Sequence, residues 1–159
     1  MTNNCLGSVR GQAAHAGPPP LTNRSDRKIL MKTQGEIEAA VCEAMSRFEQ
    51  EYMGRGPKDI RAYLVGDLLV VRLKGVLTAA ERHLVESLPS EKGRDLLKQV
   101  RTQLIETAQP VMMAMVQEAT GVKALSLHHD ISTVTGEELV IFSLVESPLP
   151  REKRGISRS

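Results

Sequence analysis

Aromatic side chains are nearly missing from this chain: two Phe, two Tyr and no Trp among 159 residues. Its core must therefore be assembled from Leu, Val, Ile, Ala and Met. The same scarcity argues against nucleic-acid binding by base stacking, which depends on aromatic platforms. Cysteine is scarce as well. Cys5 stands in a Gly/Asn/Pro-rich stretch and Cys42 in a helical pattern, so a structural disulfide is not expected and a reducing cytoplasm is. No stretch approaches the roughly 20 apolar residues of a membrane span, and the N-terminus lacks the apolar run of a secretory signal. Nucleophile motifs are wanting too, since there is no Gly-x-Ser-x-Gly and Cys42 is far in sequence from any His.

What remains is ordinary for a globular domain: 41% apolar and 25% charged residues, enough chain for one hydrophobic core. The net charge of +2 is unevenly spread. Residues 1–30 and 148–159 each carry +3, while residues 31–147 carry −4. An acidic body is a poor match for a phosphate backbone, so no nucleic-acid partner is expected. Residues 1–30 have neither periodicity nor an apolar face, and read as a disordered extension with Met31 as the true start. Residues 31–147 read as a single domain, and 148–159 as a basic flexible tail.

The body reads as helix, hairpin, short helix, long helix, hairpin. Ile37, Ala40, Val41, Ala44, Met45, Phe48 and Tyr52 make one apolar stripe, with Glu36, Glu38, Glu43, Glu49 and Glu51 on the opposite face. Two strands, Ile60 to Val65 and Leu68 to Leu73, flank Gly66-Asp67, a pair suited to a tight turn. Leu69, Val71 and Leu73 alternate with Val70, Arg72 and Lys74, so the sheet is covered on one side. Thr78 and Glu81 have capping-box spacing and open a short helix that stops before Pro89. A long helix runs from about Glu91 to Thr120, with Leu97, Val100, Leu104, Ala108, Val111, Met115 and Ala119 on its apolar face. Pro110 predicts a kink or break near Glu106. Met112, Met113 and Met115 read as flexible fillers of an irregular core gap. In the last hairpin, Leu125, Leu127, His129 and Ile131 share one face, and Ala124, Ser126, His128 and Asp130 the other. The fold class is then α+β: a two-layer sandwich of an antiparallel sheet, made of two β-hairpins, on a first helix and a long kinked helix.

Few side chains suggest chemistry. Tyr52-Met53-Gly54-Arg55-Gly56-Pro57 turns the chain sharply from helix to strand while fixing one cation. It lacks the Lys-Ser/Thr of a phosphate loop, and Arg55 reads first as a charge complementing a helix C-terminus. His128, His129 and Asp130 are the one cluster of ligand-type residues, but adjacent strand residues point to opposite faces. Two same-face ligands, His128 and Asp130, are too few for a tight metal site, so neither metal nor cofactor is expected. Arg94 and Arg101 share a helix face as solvated charges or a partner-facing pair. Catalytic residues cannot be named. The candidates for ligand or partner contact are Arg55, Gly56, Pro57, Arg101, His128 and Asp130.

Four motifs occur in a telling order: Gly54-Arg55-Gly56-Pro57; Leu73-Lys74-Gly75-Val76-Leu77-Thr78 with Glu81; Arg101; and Leu127 to Thr133 followed by Thr135-Gly136-Glu137 and Val140-Ile141-Phe142. In this order the chain resembles the MpsC-like family over about residues 33–146. His129 stands where the family pattern has a small polar residue, which leaves His128 and Asp130 as the family-like pair. The resemblance implies a bacterial, non-enzymatic cytoplasmic accessory protein, peripheral to the inner membrane. Its partner would be a membrane transport component of a system that generates membrane potential and supports sodium-coupled or inorganic-carbon (bicarbonate) uptake. An open four-stranded sheet adds the expectation of a homodimer. The competing reading is a small-anion-binding module or weak enzyme with Arg55, Arg101, His128 and Asp130 around one pocket.

Overall fold

A computed structural model describes residues 32–151. Its elements run α1 (Gln34–Tyr52), β1 (Asp59–Val65), β2 (Leu68–Lys74), α2 (Ala79–Ser87), α3 (Ser90–Thr120), β3 (Ala124–Ser132) and β4 (Glu137–Leu144). The two hairpins join through β2 and β4 into one antiparallel sheet of order β1-β2-β4-β3. The expected α+β two-layer arrangement is present. The disordered extension expected over residues 1–30, the start expected at Met31 and residues 152–159 of the expected basic tail lie outside the described residues.

Helix α1 begins at a full capping box, in which the Thr33 hydroxyl accepts from Glu36 N–H and the Glu36 carboxylate accepts from Thr33 N–H. It ends at Gly54, whose φ of 78° takes the chain out of the helix. Ile37, Val41, Met45 and Phe48 are buried, as their spacing requires, and the Tyr52 ring stacks on Phe48 at the surface. Two acids leave the expected solvated face. Glu38 accepts the Leu64 N–H at 3.0 Å, and Gln34 donates to the Leu64 carbonyl at 3.0 Å, so α1 side chains satisfy backbone groups of edge strand β1. Glu49 is completely buried.

On the inner face of the sheet, cross-strand rows stack Leu64, Leu69, Phe142 and Leu127, then Ala62, Val71, Val140 and His129, then Ile60, Leu73, Glu138 and Ile131. Strand β3 departs from simple alternation. A bulge between Ala124 and Ser126 puts Ala124 in the core and turns Leu125 out, reversing the expected placement of both. Helix α2 starts at the expected box of Thr78 and Glu81.

Helix α3 ends at Gly121, whose φ of 77° makes a left-handed stop just past the expected end at Thr120. Its buried side keeps Leu97, Ala108 and Ala119 of the stripe expected from sequence but replaces Val100, Leu104, Val111 and Met115 with the residue one position on. Leu97, Arg101, Ile105, Ala108, Met112, Val116 and Ala119 face the core, while Val100, Leu104 and Val111 are nearly half exposed. The helix also runs unbroken through Pro110. Burial of Ile105 and Ala108 before the proline and of Met112 and Val116 after it pins both halves to one sheet, which offsets the lost hydrogen bond.

A buried arginine among three carboxylates

Three inner-facing positions that periodicity reserves for apolar side chains hold charges instead: Glu49 in the α1 stripe, Arg101 in the α3 stripe and Glu138 in the β4 alternation. All three side chains are fully buried. They meet where α1, α3 and the sheet converge. Arg101 Nη2 lies 3.3 Å from Glu138 Oε2 and 3.6 Å from Glu49 Oε2, and its Nη1 lies 3.5 Å from Glu81 Oε1. His129, one register row from Glu138, brings Nδ1 to 3.7 Å from Glu138 Oε1.

The three carboxylates are held differently. Glu81 is anchored by its helix cap: its Oε2 accepts from Thr78 N–H at 2.7 Å and from Thr78 Oγ1 at 2.9 Å. Glu138 accepts one hydrogen bond from Arg101. Glu49 accepts none at either oxygen, and its contact with Arg101 is an ion-pair approach only. Arg101 Nε, His129 Nδ1 and Glu138 Oε1 are also buried without a hydrogen-bond partner. Burial, reinforced by the Glu138 carboxylate and opposed by Arg101, pushes Glu49 up to about 8.

The residues singled out from sequence are distributed over separate places. Arg101 enters this cluster as a buried group, neither solvated nor partner-facing. Arg55 donates from Nη1 to the Leu77 carbonyl at 3.3 Å, an oxygen that also accepts from Arg82 at 3.1 Å. Gly56 N–H donates to the Gln50 side chain at 3.1 Å, and Pro57 completes the entry to β1. His128 and Asp130 are exposed on the far side of the sheet from the Arg101 cluster. Lys98 reaches Asp130 at 2.7 Å, and this hydrogen bond holds the carboxyl below its usual range. Arg55, Arg101, His128 and Asp130 therefore do not line one pocket. His129, rather than His128, approaches the buried cluster, through Glu138. Sequence reasoning passed over Glu49 and Glu138, although each is in phase with the apolar residues on either side of it.

Residues 33–146 match the family model described as "Na+-translocating membrane potential-generating system (MpsC)". The chain belongs to the MpsC family. "Uncharacterized protein YbcI" of Bacillus subtilis (strain 168) is 32% identical over 115 residues, covering 72% of this chain and 90% of that protein. No solved structure matches. Within the family frame, Arg101 and Glu81 fall among the motifs that carried the resemblance, and the structure joins them in one ion pair.

Proposed function

We propose that this chain is a non-enzymatic cytoplasmic accessory protein of a bacterial membrane potential-generating system, one coupled to sodium and inorganic-carbon uptake. In this reading it works at the inner membrane as a homodimer docked on an integral membrane component. The observation that carries the proposal is the family match across residues 33–146. Among the described residues no helix is long and apolar enough to cross a membrane, so the partner would supply the path through the bilayer.

The second copy belongs on the outer face of the sheet. Tyr63, Val65, Leu68 and Leu139 are 37–65% exposed there, with Val70 and Ile141 between them. One row of that face reads Arg61, Arg72, Leu139, Asp130 from β1 to β3. A two-fold axis running along the strands sets Arg61 and Arg72 of this row over Asp130 of its partner, around an apolar centre, although Glu137 and Lys98 already engage Arg72 and Asp130 within one copy.

Two measurements test the proposal. Purification from native membranes after gentle solubilisation should retain an integral membrane protein in stoichiometric amount; recovery of the chain by itself would overturn the docking. Sedimentation should show a dimer that Tyr63→Glu with Leu139→Lys converts to a monomer. A monomeric native protein would remove the self-association.

A further inference from the structure

The charge count of the Arg101 cluster does not balance. Glu49, Glu81 and Glu138 surround one guanidinium, and two of these carboxylates, with the arginine itself, are sealed from solvent. Fully ionised, the group would bury a surplus of negative charge, which a low-dielectric interior strongly disfavours. A bound metal ion is a poor remedy, because among the described residues no three His, Cys, Asp or Glu side chains are placed to hold one. Arg101 also occupies the centre of the carboxylates, where a second cation would be repelled.

We propose that the cluster is a buried proton-binding site, in which Glu49 carries a hydrogen at neutral pH beside the Arg101 guanidinium. The hydrogen-bond pattern selects the residue. Glu81 and Glu138 each accept from a donor that stabilises the ionised form, whereas both oxygens of Glu49 are buried without one. Glu49 and Glu138 compete for the same Nη2 of Arg101, and Glu138 is the nearer. Glu49 also stands in the last turn of α1, a helix with no basic residue there, so the negative end of the helix dipole disfavours a further negative charge. Protonation turns Glu49 from an unserved acceptor into a donor, in a cluster where Glu138 Oε1 lacks a partner. The upward shift of Glu49 agrees with this assignment.

The charged groups facing Glu49 are Arg101 from α3, Glu81 from α2 and Glu138 from β4, with His129 of β3 against Glu138; β1, which also packs on α1, adds none. Beyond the end of α1, Arg55 is engaged by the Leu77 carbonyl. Loss of the proton therefore acts where α1 is fastened to α3 and the sheet. The site rests on this geometry and does not depend on the accessory role proposed above.

Thermal unfolding of the full chain and of Glu49→Gln, followed from pH 5 to pH 9, tests the assignment. Glutamine keeps the shape and a neutral donor but cannot ionise. The native protein should lose several degrees of melting temperature between pH 6 and pH 9, and Glu49→Gln should lose much less. Glu138→Gln, which removes the carboxylate that helps raise Glu49 and frees Arg101 Nη2 for it, should make the slope shallower than the native one. Difference infrared spectroscopy at pH 7 should show the carbonyl stretch of an un-ionised carboxylic acid, absent in Glu49→Gln. A slope unchanged by Glu49→Gln, or no such band in the native protein, would overturn the proposal.

Discussion

Arg101 is the residue on which the interior depends most. Removing it leaves Glu49 and Glu138 buried opposite no positive charge. Arg101→Ala should destabilise the fold by about 3–5 kcal/mol in urea unfolding, the usual cost of breaking a buried pair. Arg101→Met combined with Glu49→Gln and Glu138→Gln should recover most of that loss, because both fully buried carboxylates are then gone and the remaining one, Glu81, is part-exposed and held by its helix cap. If the triple variant is as unstable as Arg101→Ala, lost packing rather than charge is the cause. The pH dependence follows from Glu49 being raised from 4.5 to about 8 in the folded chain. Between those values the native state holds a proton that the unfolded chain releases. Its stabilisation is fully present below about 4.5, declines as pH rises and is lost above about 8, with a slope of at most about 1.4 kcal/mol per pH unit. None of this was legible from residue type alone. A glutamate at helical spacing among other glutamates reads as solvated, and only the phase it shares with Met45 and Val41 places it inside.

At the scale of elements, local rules served well where local forces decide. The Thr78–Glu81 capping box and both hairpins were readable from residues a few positions apart, and the Thr33–Glu36 box and the Gly121 stop obey the same local rules. Gly121→Ala should cost about 1–2 kcal/mol by denaturant unfolding, since φ of 77° crowds a Cβ against the carbonyl. A neutral substitution would mean that the helix end relaxes. Helix α3 was harder to read because it carries two neighbouring apolar stripes. Beside the shared Leu97, Ala108 and Ala119, the set Arg101, Ile105, Met112 and Val116 is broken by a charge, whereas the expected Val100, Leu104, Val111 and Met115 are not. Apolar spacing alone favours the second stripe, and tertiary packing chose the first. The β3 bulge was illegible for a related reason, as one extra residue shifts the alternation without any glycine or proline to mark it.

For the whole molecule, the order of elements and the one-sided covering of the sheet were readable, because two hairpins and two substantial helices admit few compact arrangements. The candidate site was not, because it is assembled from α1, α2, α3, β3 and β4, and no linear motif spans them. The two ends of the described chain also come together. The Arg151 N–H donates to the Lys32 carbonyl at 2.8 Å, and Lys32 Nζ reaches the Ala119 carbonyl near the end of α3. Entry and exit thus share one corner of the fold, so the body can act as a cassette. A circular permutant that joins residues 151 and 32 through a short linker and opens the chain at Gly66-Asp67 should keep the native circular dichroism spectrum, and the same body should tolerate insertion into a single surface loop of a carrier protein.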